Sequence, residues 1–221
     1  MMNLADGVEI SARNRPDHAA IIEGPRTLTY REFASLVRRT SAHIEALGTE
    51  KGDIVGVCLL DTADNLIVLY AIARSGRVIL PIDCRWTSEE KRRVAEHFGA
   101  VLVITEAGSE PLGAVRLVPL DDSWRQAVAV APDDRAFDVD GETNLLVSLS
   151  SGTTGRPKGP MIAHRHFFRR FMTHWINLGM NSRDRFVCAT PLYFGGGRTF
   201  SMSLLFAGGT VVMYPPPHDA A

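Results

Sequence analysis

Leu145-Leu146-Val147-Ser148-Leu149-Ser150-Ser151-Gly152-Thr153-Thr154-Gly155-Arg156-Pro157-Lys158-Gly159 opens as an apolar run of strand length and turns into hydroxyls, glycines and one lysine. Glycine carries no Cβ, so the backbone turns freely here and can approach a ligand closely. Ser150, Ser151, Thr153 and Thr154 supply short donors that lose little freedom on ordering, and Lys158 adds a point charge on a long stem. A strand ending in such a segment presents backbone N–H groups in a concave arrangement that suits phosphate oxygens. The pattern is not a Walker loop, which needs Gly-x-x-x-x-Gly-Lys-Ser/Thr running into a helix. Pro157 instead precedes the lysine and biases Arg156 toward extended backbone. Composition alone favours a solvated Ser/Thr/Gly connector over a phosphate site.

Working outward, the residues before this stretch alternate between strand and helix signals. Residues 4–14 read as a short helix ended by Pro16, 19–23 as a strand, and Gly24-Pro25 as a turn into 27–29. Thr29 with Glu32, and Thr87 with Glu90, are capping-box pairs opening helices to about residues 47 and 98. Residues 54–59, 78–81 and 101–104 are apolar runs of the kind buried on both faces of a parallel sheet, and 62–75 reads as a helix between them. Residues 106–140 are less regular, with one expected strand at 115–118 and an acidic connector from Pro132. Downstream, Phe168, Phe171, Met172 and Trp175 form a helical apolar stripe, with Arg165, Arg169 and Arg170 opposite. Strands are expected at 186–189 and 210–214, with a helix to Phe206 between them and Pro215-Pro216-Pro217 ending the last. The βαβα rhythm predicts an α/β fold: a layered, mainly parallel sheet flanked by helices.

The 221 residues give ample length for a core, and 45% hydrophobic with 22% charged residues is ordinary globular composition. A net charge of −1 provides no basic field for nucleic acid. Cys58, Cys84 and Cys188 are scattered, so they read as buried thiols in a reducing, cytoplasmic setting. His164, His166 and His174 lack an Asp, Glu or Cys at ligand spacing and are expected to be ordinary surface or helix-start histidines.

The string from Ser150 to Gly159 resembles the phosphate-loop signature of the adenylate-forming superfamily, which includes acyl-CoA synthetases, peptide-synthetase adenylation domains and luciferases. Leu28-Thr29-Tyr30-Arg31-Glu32 and residues 75–83 are also similar to family segments. Pro191-Leu192-Tyr193-Phe194-Gly195-Gly196-Gly197 resembles a Pro-Leu-aromatic-His-x-x-Gly motif that lines the acyl pocket, with Phe194 standing in the histidine position. Pro160 and Ala163 depart from the family pattern as well, and His164 matches a histidine that often follows the loop.

The resemblance implies ATP-dependent activation of a small carboxylic acid to an acyl-adenylate, with a CoA thioester as the expected product. It implies that Ser150, Ser151, Gly152, Thr153, Thr154, Gly155, Lys158 and Gly159 hold the nucleotide phosphates, with Lys158 and Thr154 acting in catalysis. Tyr193, Phe194, Gly195 and Gly196 would line the substrate pocket; ATP or AMP, Mg²⁺ and CoA are the implied cofactors, and no metal-ligating side chain is assigned. Residues 1–221 would be an incomplete N-terminal AMP-binding domain with its phosphate-loop region at 145–160, the later subdomain and C-terminal domain being absent. Adenine-contacting, Mg²⁺-binding and ribose-binding motifs are not found, so the chain is expected to be inactive alone. A non-catalytic fragment or binding module that keeps the fold, and one half of a split enzyme, are the alternatives. Self-association is expected through an uncovered sheet surface at 210–213.

Overall fold

Residues 3–149 and 158–214 are described by the structure, a computed structural model. The expected phosphate-loop residues 150–157 and the proline-rich end lie outside the described residues.

The elements in chain order are α1 (Asp6–Asn14), β1 (Ala19–Glu23), β2 (Arg26–Thr29), α2 (Tyr30–Ala46), β3 (Ile54–Cys58), α3 (Ala63–Arg74), β4 (Val78–Pro81) and α4 (Ser88–Phe98). They continue with β5 (Leu102–Glu106), β6 (Leu117–Leu120), α5 (Asp122–Val130), β7 (Asn144–Val147), β8 (Met161–Ala163), α6 (His164–Leu178), β9 (Arg185–Cys188), α7 (Gly195–Ala207) and β10 (Thr210–Met213). Both capping boxes are made: Thr29 and Thr87 each accept from the backbone of Glu32 and Glu90, whose carboxylates accept in return. Such reciprocal bonds satisfy helix-start donors locally, so the sequence pattern suffices to place the helix start.

The strands form two sheets where one was expected. Six strands run in the order β6-β5-β3-β4-β7-β8, parallel throughout except for the β7–β8 pair. Four more run β2-β1-β10-β9, with β1–β2 antiparallel and the rest parallel. Helix α3 is buried on nearly every side and packs between them, touching β3 and β4 of one sheet and β1 of the other. Tyr70 of α3 donates its hydroxyl to the Met202 carbonyl of α7 at 2.7 Å, which ties the middle layer together. The far face of the six-stranded sheet packs Val78, Leu80 and Val103 against Val94 and Ala95 of α4.

Several expectations are corrected. The strand at 210–213 is not an uncovered edge: β10 lies between β1 and β9, with Thr210, Val211 and Met213 buried. What the sheet leaves open is the cross-strand row Thr27, Ile22, Val212, Val187, in which Val187 on edge strand β9 is 55% exposed. The strand expected at 115–118 runs from Leu117 to Leu120, where Pro119 is tolerated because β6 is an edge. Helix α5 was not foreseen, although Asp121 caps it by accepting from Trp124 N–H at 3.0 Å. The buried stripe of α6 is Phe167, Phe171 and His174, whereas Met172 is exposed. Cys58 and Cys188 are buried and Cys84 only half-buried. His164 opens α6, as a helix-start histidine would, but is fully buried rather than on the surface, its Nδ1 accepting the Leu4 backbone N–H at 3.1 Å. No helix of the described residues is long and apolar enough to cross a membrane.

Candidate functional site

Parallel strands β3, β4 and β7 discharge their loops at one edge of the six-stranded sheet, and in open α/β sheets ligands bind outside such carboxyl ends. Strand β7 leaves this edge at Val147 and the chain returns as β8, with Val147 opposite Met161 and Leu146 opposite Ile162. Ser148 N–H donates to the Pro160 carbonyl at 3.0 Å, so the residue lacking an N–H serves here through its oxygen. Gly159 passes so close to β7 that a Cβ would lie 2.7 Å from Val147 Cγ1 and 3.2 Å from Phe98 Cζ. Its lack of a side chain is therefore a packing requirement. Exposed Lys158 stands next to it. The structure thus brings Lys158 and Gly159 to the carboxyl edge, while Ser150, Ser151, Gly152, Thr153, Thr154 and Gly155 lie outside the described residues.

The loop before α7 arrives at the same edge, held by residues from the ends of β3 and β4. Asp61, three residues past β3, accepts the Leu192 N–H at 2.6 Å. Burial raises the Asp61 carboxyl above the usual range, and that hydrogen bond opposes the rise. Asp83, just past β4, accepts from Arg85 through the backbone N at 2.9 Å, Nε at 3.0 Å and Nη2 at 2.9 Å. Burial works against the Asp83 carboxylate, but the Arg85 bonds outweigh it and hold the pKa below its ordinary value. The Arg85 guanidinium lies over the Tyr193 ring, 5.1 Å from its centre, and donates Nη2 to the Tyr193 hydroxyl. Burial, then the Asp83 charge, push the Tyr193 phenol up, so it is a neutral donor at physiological pH.

The candidate pocket residues differ from one another. Phe194 is the N-cap of α7 and is 60% exposed, and its side chain makes no cap bond. Gly195 would meet nothing within 4 Å if it carried a Cβ, and Gly196 only Thr190 Cγ2 at 3.7 Å. Gly197 is another matter: a Cβ there would fall 2.0 Å from the Thr190 carbonyl oxygen and 2.7 Å from that of Pro191. The first two glycines leave space at a helix N-terminus, whose N–H groups favour negative charge. The third lets the helix press on the loop. Arg198 is buried and donates Nη1 to the Leu192 and Tyr193 carbonyls at 2.9 and 2.8 Å, fixing the loop from beneath. Burial, then repulsion from Arg170, lower its pKa to about 10.

Asp61, Asp83, Arg85 and Arg198 escaped the sequence reading. The one available signal was the charged pair Asp83 and Arg85 directly after an apolar strand. Among the described residues, no three His, Cys, Asp or Glu side chains converge as a metal site.

Comparison with known proteins bears on the family and the fold. Phosphinothricin tripeptide synthetase PhsC of Streptomyces viridochromogenes is 37% identical over 163 residues, covering 72% of this chain and 15% of that protein. The 2-succinylbenzoate–CoA ligase of Bacillus licheniformis is 25% identical over 221 residues, covering 97% of this chain and 45% of the ligase. Less than half the length of either relative is therefore spanned. The inhibitor-bound N-terminal domain of FACL13 from Mycobacterium tuberculosis superposes with a TM-score of 0.89 at 25% identity, covering 97% of this chain and 57% of that one. VinN, solved with 3-methylaspartate, shares the fold at a TM-score of 0.89 and 20% identity, covering 96% of this chain and 61% of its own. The AMP-binding enzyme family matches continuously over residues 8–221, and with the two-sheet architecture and the carboxyl-edge hairpin, this places the chain in that family.

Proposed function

We propose that this chain supplies the phosphate grip and part of the acid pocket of an ATP-dependent ligase that activates a small carboxylic acid as its acyl-adenylate. The observation that carries the reading is that the loop before α7 is tied by Asp61 to the end of β3 and, through Arg85, by Asp83 to the end of β4, the strand beside β7, where the chain runs out toward the phosphate-loop segment. Strand neighbours are about 5 Å apart, so an acid held at Tyr193 and a nucleotide held beyond Lys158 fall within reach of each other.

In this reading the hydroxyls and N–H groups of Ser150, Ser151, Gly152, Thr153, Thr154 and Gly155, with Gly159 as the close-packed hinge, bind the β- and γ-phosphates. Lys158 balances the charge that builds on the leaving pyrophosphate, which is stabilisation made mainly in the transition state. The open N-terminus of α7 at Gly195 and Gly196 orients the acid's carboxylate, with Tyr193 and Phe194 beside its body. Mg²⁺, as a hard cation that prefers oxygen, would offset phosphate charge if it accompanied the nucleotide, and no side chain of this chain is assigned as its ligand. Alignment of CoA ligases along most of the chain supports CoA as the acceptor of the acyl group. The AMP-binding domain is read as residues 1–221, with its phosphate-loop region at 145–160. Copies of the chain associate in solution through the open row of the four-stranded sheet.

Phosphorus NMR titrations with magnesium pyrophosphate and magnesium ATP test the grip. Both are expected to bind at about millimolar Kd and with similar affinity, and Lys158→Ala should weaken both several-fold at unchanged melting temperature. Unaltered binding in that variant, or no binding by the parent chain, overturns the assignment. Acid-dependent ATP–pyrophosphate exchange reads the adenylation step, and CoA consumption the transfer.

A further inference from the structure

Arg198 lies in the first turn of α7, whose N-cap is Phe194. Helical side chains lean back toward the N-terminus. The Arg198 head accordingly sits at the start of the helix, its Nη1 donating to the Leu192 and Tyr193 carbonyls just ahead of the cap. The residue is 4% exposed, and its Nε is buried without a partner. No carboxylate of the described residues pairs with this guanidinium; the charge that bears on it is that of Arg170, of like sign. Residues 150–157 contain no Asp or Glu, so the expected phosphate loop holds no counterion for it either.

Such a placement carries three costs. A cation at a helix N-terminus faces the positive end of the macrodipole. A buried guanidinium without a counterion gives up hydration that nothing replaces. Arg170 adds repulsion. A methionine would span the same space with none of these costs, so the residue is at odds with stability, as residues kept for a site are. An anion at the α7 N-terminus relieves all three together, and Gly195 and Gly196 leave that end open.

We propose that Arg198, with Arg170 beside it, holds the second carboxylate of a short dicarboxylic acid whose first carboxylate meets the open N–H groups of α7. The inference rests on the ligase reading and adds the class of acid. The reacting carboxylate loses its negative charge when its oxygen bonds the α-phosphorus and pyrophosphate departs. A fixed cation on it would stabilise the ground state above the transition state and slow the step. A distal carboxylate keeps its charge throughout and suits a permanent guanidinium. Gly195 and Arg198 lie about 5 Å apart along the helix axis, which suits about two to four carbons between the carboxyl groups.

Saturation-transfer NMR titrations of glutarate and of its monomethyl ester test the proposal on the chain itself. The parent is expected to bind glutarate about tenfold more tightly than the ester, the worth of one charge-assisted hydrogen bond. Arg198→Met should erase that preference, Arg198→Lys should keep part of it, and Arg170→Gln should reduce it several-fold. Magnesium pyrophosphate is the control, and its affinity should be the same in the parent and in Arg198→Met. Undetectable glutarate binding, equal affinity for acid and ester, or a preference that survives Arg198→Met overturns the proposal. So does a loss of pyrophosphate affinity matching that of glutarate, which would give Arg198 to the nucleotide. If Arg198→Met does not fold, the parent and Arg170→Gln decide: a preference lowered by the second variant supports the site, and an unaltered one overturns it. Failure of the ligase reading has another signature, the absence of pyrophosphate binding, whereas failure of this inference leaves pyrophosphate bound and acid and ester alike.

Discussion

His164 shows how one side chain can report on the whole packing. It is fully buried, it accepts from Leu4 N–H at Nδ1, and no described group partners its Nε2. Burial pushes its pKa down to about 4. A second proton would have to sit on Nδ1, facing the Leu4 donor, so the native state holds the ring neutral. Between about pH 6.5 and 4 the unfolded chain takes up a proton that the folded chain refuses. Stability is therefore full above pH 6.5 and falls as the pH drops toward 4, by up to about 3 kcal/mol. Urea melts from pH 7.5 to 4.5 should show this slope in the parent and a shallower one in His164→Asn, which keeps an acceptor but cannot titrate. Equal slopes would show that other groups, such as the carboxyls of Asp83 and Asp140, whose hydrogen bonds hold them below the ordinary carboxylate range, set the acid limit. Sequence gave no warning of this burial, since it depends on Leu4, 160 positions away.

At the scale of elements, α7 and the loop before it depend on Gly197 rather than on the glycine run as a whole. Gly197→Ala forces a methyl into two backbone carbonyls and is expected to destabilise by about 2–4 kcal/mol. Gly195→Ala adds a methyl to open space in a helix and should be neutral or stabilising by up to about 1 kcal/mol. Chemical denaturation of both variants checks the order, and the reverse order would refute the packing role. The family resemblance implies a pocket-lining role for Gly195 and Gly196, beside which the structure leaves open space, whereas Gly197 is taken up by packing. Local signals were legible: the capping boxes and the all-buried β3. Pairings set by distant contacts were not. Asp61 meets Leu192 across 131 positions and Arg85 meets Tyr193 across 108, so the motif at Pro191–Gly197 gave no sign of which distant residues would hold it. Helix α5 was missed for another reason: its cap Asp121 was present, but only Trp124 and Val128 mark a buried face.

For the whole molecule, the division into two sheets follows from the return of β10 to β1, where Thr210 donates its hydroxyl to the Ala19 carbonyl from 191 positions away. A βαβα rhythm cannot say that the last strand will join the first and leave the central sheet. That return leaves the row Ile22, Val212 and Val187 facing outward. Val187→Lys, at the exposed edge, should shift light-scattering mass toward monomer while the melting temperature holds. A parent chain already monomeric at about 100 μM would remove this surface as an interface. The β7–β8 hairpin has a different consequence. Its ladder fixes both ends of the connecting segment before any ligand arrives, and the entropy of closing a chain segment between fixed ends rises by only about 0.6 kcal/mol when its length doubles. The fold and the chemistry are therefore separable cargo: segments of other length and composition can be grafted between Ser148 and Gly159 with the sheet serving as an unaltered socket.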